Sequence, residues 1–263
     1  MHEEKSTLSL TVFGCRGSMP AADPRMSLFG GNTSCYMVSA GKETLLIDAG
    51  SGIAGAVPAE GPVHILFTHF HLDHLLGLPV FPPLLEKGRE IHLYGRSREG
   101  LSPREQIARL ISPPLWPAPL ERYPAAVFFH ELEFPLRLGA FEADGMETRH
   151  PGGSLVLKVS ALGKSFVCAT DFVHTEGEAA RLEGFSRGTD LLLYDAQYTP
   201  EEFAARPSFG HSTAEEGIRI GRACGAKRIV MVHHDPSHTD QMLLERERNL
   251  GVHFAREGEV FTL

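Results

Sequence analysis

The chain has 263 residues, 42% of them hydrophobic and 22% charged, a composition that fits an ordinary globular protein and excludes a disordered or fibrous one. The formal net charge of −8 weighs against a protein that grips long nucleic acid by neutralising phosphates. Met1 to Leu10 has no basic segment leading into an apolar run, no stretch is long and apolar enough to span a membrane, and the four cysteines (Cys15, Cys35, Cys168, Cys224) form no CxxC pair, so a reducing, cytoplasmic location is expected.

Short runs rich in β-branched and aromatic residues predict strands at Leu8 to Phe13, Ser34 to Val38, Thr44 to Ile47, His64 to Phe67, Ile91 to Tyr94 and Val127 to Phe129. A helix is expected from Pro103 to Ile111. It is followed by Ser112 to Pro124, where five prolines surround the only tryptophan, Trp116, in a loop of little freedom. A second series of strands follows at Glu147 to His150, Ser154 to Val159, Phe166 to Ala169, Leu191 to Tyr194 and Arg228 to Val232. Helices are expected between and after them at Glu176 to Glu183, Pro200 to Ala204, Thr213 to Cys224 and Asp240 to Asn249. For the third of these, Ser212 and Glu215 have capping-box spacing and Gly225 supplies the stop. No domain-separating linker and no fixed-period repeat interrupts the series, so residues 1–263 read as one domain, with a proline-rich insertion at about 112–124.

The strand at His64 to Phe67 ends in Thr68-His69-Phe70-His71-Leu72-Asp73-His74, which puts four candidate metal ligands within six residues. Imidazole and carboxylate suit zinc, manganese or iron, and a loop leaving a strand lets alternate side chains converge. His69 and His71 can face one metal while Asp73 and His74 turn to a second. So many polar and charged groups at a strand end have no inexpensive structural purpose.

The His-X-His-X-Asp-His pattern resembles the signature of the metallo-β-lactamase superfamily, and the likeness runs through nearly the whole chain. It implies an α/β fold, a four-layer αββα sandwich of two mixed sheets flanked by helices. Asp48, in Leu-Leu-Ile-Asp-Ala-Gly, resembles the family's acid beneath the site, which orients a ligand. His150, in Arg-His-Pro-Gly-Gly, matches the third histidine of the first metal, and Asp171, in Ala-Thr-Asp-Phe, matches the aspartate between both metals. For the last ligand the chain offers His233 and His234, and alignment of His-His-Asp-Pro with the ribonuclease Z branch favours His233. The resemblance thus implies two divalent cations, zinc foremost. One is held by His69, His71, His150 and Asp171, the other by Asp73, His74, His233 and Asp171, with Asp73 also counted as catalytic. A metal-activated water then serves as nucleophile, and Cys168, on a strand, is core packing.

The fold family does not choose among lactams, lactones, thioesters and phosphodiesters. His211-Ser212-Thr213 resembles the His-Ser-Thr motif of the ribonuclease Z and phosphodiesterase branch, and Asp195, in Leu-Leu-Tyr-Asp, stands where that branch carries an acid. Asp195 would hold His211 in its protonated form, ready to donate to a leaving oxygen. The glycines around Cys15-Arg16 and Asn32-Thr33 also resemble this branch. The added arm with which transfer-RNA-processing ribonuclease Z grips its substrate is not evident here, so a small phosphodiester such as a cyclic nucleotide or cyclic phosphate is the expected substrate. Hydrolysis of a carboxylic ester, lactone or thioester at the same centre, or nucleotide sensing without turnover, are the alternatives. A di-iron redox role fits less well, since flavodiiron proteins place a glutamate where His71 stands. Phe81-Pro82-Pro83 and the Trp116 loop read either as a wall on which a base stacks or as packing, internal or in a homodimer. His64, His92, His130, His174, His238 and His253 show no converging partner.

Overall fold

The computed structural model describes residues 7–206 and 208–263, so the first six residues of the stretch read above for a leader lie outside the described residues. The first half of the chain runs β1 (Leu8–Gly14), β2 (Cys35–Ala40), β3 (Glu43–Ile47), β4 (Val63–Leu66), α1 (Leu72–Leu75), β5 (Glu90–Gly95), α2 (Pro103–Leu110) and β6 (Ala126–Glu131). The second runs β7 (Leu136–Leu138), β8 (Phe141–Thr148), β9 (Ser154–Ala161), β10 (Lys164–Ala169), α3 (Glu176–Phe185), β11 (Leu191–Asp195), α4 (Pro200–Ala205), α5 (Ala214–Ala223), β12 (Ile229–Val232), α6 (Asp240–Leu250), β13 (His253–Phe254) and β14 (Val260–Thr262).

These strands form two seven-stranded mixed sheets, ordered β14-β1-β2-β3-β4-β5-β6 and β13-β12-β11-β10-β9-β8-β7. Each sheet changes pairing once. β3 is antiparallel to β2 and parallel to β4, while β10 is antiparallel to β9 and parallel to β11. Leu10, Val38, Leu66, Leu157, Phe166 and Val232 belong to the core between the sheets. Ile65, Phe67, Ile91 and Ile107 bury the helix side of the first sheet, and Val167, Leu192, Ile220 and Leu243 that of the second. The central parallel strands are apolar on both faces because both faces are covered, and each such side chain contributes about 1.5–3 kcal/mol by burial. The αββα sandwich expected from the sequence is thereby present.

Two local expectations are corrected and one open alternative is decided. The strand predicted at Glu147 to His150 is the tail of β8, which begins at Phe141 and ends at Thr148; along it buried Phe141, Ala143 and Met146 alternate with solvent-facing Glu142, Asp144 and Glu147. The cap of α5 is Thr213 rather than Ser212: the Thr213 side chain accepts from the Glu216 amide, and Ser212 Oγ instead meets Tyr194 Oη at 2.8 Å. The Trp116 segment is internal packing. Phe81 is fully buried and Trp116 packs on the helix-side core, its Nε1 donating to Tyr123 Oη at 2.8 Å. Strands β7, β13 and β14 carry no strong sequence signal because they are two or three residues long and exist through pairing with a neighbour.

Candidate metal centre

The centre lies where the parallel strands end, as is general for α/β sheets. After β4, the Thr68 amide donates to Asp48 Oδ1 at 2.8 Å and its hydroxyl to Asp48 Oδ2 at 2.9 Å. That anchor turns the chain into His69 and, through His71 as the N-cap, into the single turn α1 carrying Asp73 and His74. The Ser18 amide donates to Asp73 Oδ2 at 2.7 Å, so the Gly14 to Ser18 loop aims that carboxylate. From the other sheet come His150 just beyond β8, Asp171 beyond β10, Asp195 at the end of β11 and His233 beyond β12.

These side chains meet. His71 Nδ1 and His150 Nε2 are 3.0 Å apart, and His150 Nε2 is 3.5 Å from Asp171 Oδ1. Asp171 Oδ2 lies 2.9 Å from His74 Nε2 and 3.2 Å from His233 Nε2, and Asp73 Oδ2 lies 3.3 Å and 3.2 Å from the same two nitrogens. The potential ligand atoms of His69, His71 and His150 form one group within 4.8 Å of one another, and those of Asp73, His74, Asp171 and His233 form another. His234, the alternative to His233, points away: its Nε2 meets the Ala255 carbonyl at 2.9 Å, in a pocket walled by Phe29 and Phe254.

Whether these residues suit cations can be judged from their unused atoms. His69 Nε2, His74 Nε2 and Asp171 Oδ2 are buried and make no hydrogen bond. On two rings the opposite nitrogen is engaged: His74 Nδ1 donates to Asp48 Oδ2 at 2.8 Å and His150 Nδ1 to the Gly210 carbonyl at 2.9 Å. A proton held at Nδ1 leaves the lone pair at Nε2, the arrangement metal-binding imidazoles require. Asp48, Asp73, Asp171 and Asp195 are all at least nine-tenths buried within this small volume, a heavy cost without positive charge nearby. Burial raises the Asp171 carboxyl, yet His233, His74 and His69 outweigh it and hold the group well below the usual carboxylate range. For His69 burial comes first, with His74 next, and both press the imidazole towards its neutral, ligand-competent form. The donor set fits two divalent cations.

Backbone strain gathers here as well. Asp48, Asp171 and His233 have φ of 58°, 53° and 62°, in the left-handed region that β-carbons disfavour. Gly17 gives His233 its room, since a β-carbon there would stand 2.3 Å from His233 Nδ1. Asp195 gathers the adjoining loops. Its Oδ2 accepts from His211 Nδ1 at 3.0 Å, and its Oδ1 from the Gln197 amide at 3.1 Å and the Ser212 amide at 3.4 Å. His211 Nδ1 is also 3.9 Å from Asp171 Oδ1, and the ring lines a cavity of about 290 Å³ together with Ser18, His71, Asp73, His150 and Asp171. Sequence reading missed the Gly210 carbonyl and the Ser18 amide, which act through the main chain and leave no side-chain signal. Of the histidines given no role, His238 is buried against Glu202 at 3.1 Å, His92 and His130 stack with Tyr94 on the first sheet, and His64 stacks on His92. Cys168 is fully buried between the sheets, and none of the four cysteines is paired.

Two mixed sheets sharing a histidine and aspartate centre at their strand ends define the metallo-β-lactamase fold. The pattern of the "Beta-lactamase superfamily domain" matches residues 43–234, well over half of the chain, and the protein belongs to that family. It is similar to the probable metallo-hydrolase YhfI of Bacillus subtilis (strain 168), 24% identical over 237 residues covering 86% of each chain. A ribonuclease Z of Bradyrhizobium sp. (strain ORS 278) is 25% identical over 296 residues, covering 92% of this chain and 94% of that one. The crystal structure of the metallo-β-lactamase fold protein YhfI from Bacillus subtilis superposes with a TM-score of 0.75 at 24% identity, over 98% of this chain and 100% of that one, which establishes the fold. No helix among the described residues is long and apolar enough to cross a membrane.

Proposed function

We propose that this protein is a metal-dependent phosphodiesterase acting on a small diester such as a cyclic nucleotide or cyclic phosphate. The observation that carries the reading is the His211–Asp195 pair, 3.0 Å apart, set beside Asp171 in a cavity lined by the metal-type donors. Similarity to a protein named ribonuclease Z supports a phosphorus ester over a carbon ester. In this reading His69, His71 and His150 would hold one cation and Asp73, His74 and His233 the other, with Asp171 available to both. Such a pair, zinc foremost by the family resemblance, would supply Lewis acidity that lowers the pKa of water and offsets charge on phosphoryl oxygens.

The remaining work falls to the chain itself. Asp195 accepts the hydrogen bond of His211 Nδ1–H and fixes the ring, so that a proton carried at Nε2 faces the leaving oxygen. Asp73, aimed by the Ser18 amide, orients the attacking water. Asp48 and the Gly210 carbonyl hold His74 and His150 in the tautomer that leaves Nε2 free. Both sheets contribute, which is why we treat the chain as one domain. Four unpaired thiols agree with a cytoplasmic setting.

The test is hydrolysis of bis(p-nitrophenyl) phosphate against a lactone panel, with metal content measured on the same samples. The parent should release p-nitrophenol and spare the lactones, and His211→Ala should keep its metals while kcat falls about 10²- to 10³-fold. Faster lactone than diester turnover, or undiminished diester turnover in His211→Ala, overturns the assignment.

A further inference from the structure

A second cleft, of about 380 Å³, opens beside the cavity over the centre and shares His71 and Leu72 with it. Its size is that of a small-molecule site. One wall is the metal-binding loop, where Phe70 and Leu72 present apolar surface; Leu72 is 39% exposed, unusual for a leucine next to a buried polar centre. The facing wall is α2, through Gln106, Arg109 and Leu110. Both Gln106 amide hydrogens are spent on main-chain carbonyls, of Arg96 at 2.9 Å and Leu101 at 3.0 Å, which ties the loop before α2 to the helix and makes this wall rigid.

Two guanidinium groups and one exposed carboxylate, Glu99, line the cleft, and the guanidinium groups differ. Arg98 is committed, donating to Glu147 Oε2 at 2.8 Å across Gly153, where a β-carbon would come within 2.2 Å of Arg98 Nη1. Arg109 is exposed, and among the described residues no carboxylate reaches it within ion-pair distance. Its natural partner one turn earlier, Glu105, is occupied by the α2 cap, accepting from the Ser102 amide at 2.8 Å and the Ser102 hydroxyl at 2.6 Å. In a chain of net charge −8, an arginine left without a partner at the rim of a cleft that begins at two of the metal-type histidines is suited to an anion brought by the ligand.

We propose that Arg109 is a specificity-determining residue: it selects diesters that carry a second anionic group, separated from the reacting phosphorus by an apolar ring or chain lying between Phe70, Leu72 and Leu110. This rests on the phosphodiesterase reading for its chemistry, but the binding half of the test stands apart from it. Compounds with one charge fill the apolar slot and leave Arg109 facing water, whereas a second phosphate or carboxylate gains a charge-assisted hydrogen bond in a partly desolvated setting.

The experiment compares thymidine 5′-(p-nitrophenyl phosphate) with the same compound bearing a 3′-phosphate, which share the reacting diester and leaving group. The ratio of kcat/KM should favour the 3′-phosphate form about tenfold in the parent, mainly through KM, collapse in Arg109→Ala, recover partly in Arg109→Lys and invert in Arg109→Glu. In parallel, calorimetry should find thymidine 3′,5′-bisphosphate binding about tenfold more weakly to Arg109→Ala than to the parent, with thymidine 5′-monophosphate as the reference ligand. A ratio and a bisphosphate affinity that ignore all three substitutions overturn the proposal. Failure of the parent to cleave either ester sinks the phosphodiesterase reading instead, and the calorimetry then decides the role of Arg109 alone.

Discussion

Asp48 and Asp171 occupy the same place in the two sheets. Each follows the strand at which antiparallel pairing gives way to parallel, β3 in one sheet and β10 in the other; each is buried with left-handed backbone, at φ 58° and 53°. They close on opposite edges of one imidazole: Asp48 Oδ2 lies 2.8 Å from His74 Nδ1, and Asp171 Oδ2 lies 2.9 Å from His74 Nε2. Topology therefore supplies an acid at each strand end, and the nitrogen it meets decides its work. The acid at Nδ1 holds a proton and a tautomer, while the acid at Nε2 stands among unused lone pairs and is itself a ligand candidate. Candidate ligands are also distributed unequally. The first sheet delivers four within the six residues from His69 to His74, whereas the second delivers His150, Asp171 and His233 one at a time from separate strand ends.

The most damaging way to break this comparison is Asp171→Ala. Elemental analysis should find metal largely lost and diester hydrolysis reduced by about 10³-fold or more, because both halves of the centre lose a donor. Asp48→Asn should act more mildly, lowering metal affinity about 10- to 100-fold while activity returns at saturating metal. If Asp48→Asn proved as severe as Asp171→Ala under saturating zinc, the distinction between the holder of a tautomer and the ligand would fail. The smallest effect concerns the His211 loop: Thr213→Ala should cost about 1 kcal/mol in urea unfolding through loss of the α5 cap, with metal content unchanged. Metal loss in that variant would mean that the cap and the centre are not separable.

Much of this was legible in advance. Ten of the strands announce themselves as apolar runs, and the cluster from His69 to His74 is visible because its members are neighbours in sequence. The α5 cap was misplaced by one residue, since Ser212 and Thr213 both carry a hydroxyl and both have a glutamate three residues on; only the contact of Ser212 with Tyr194 separates them. For Trp116 the sequence left a stacking wall and packing both open, because prolines signal a loop and a loop can still fold its aromatic ring inward, as the Tyr123 contact makes it do. The long-distance partners were located through family resemblance, since spacing alone carries no information about which strand ends meet.

By itself the sequence determined most of the strands and helices and a metal-type cluster on the first sheet, which follow from local periodicity and from residues a few positions apart, while the two-sheet class was implied by the family resemblance. Tertiary structure decided how His233, already favoured over His234 by the family resemblance, comes to face the centre: adjacent residues face opposite ways, and the left-handed turn at His233, with Gly17 making space beside it, turns that ring inward. It likewise decided that Arg98 is paired and Arg109 is not. Pairing depends on where Glu147, from the other sheet, comes to lie, and no spacing along the chain encodes that meeting.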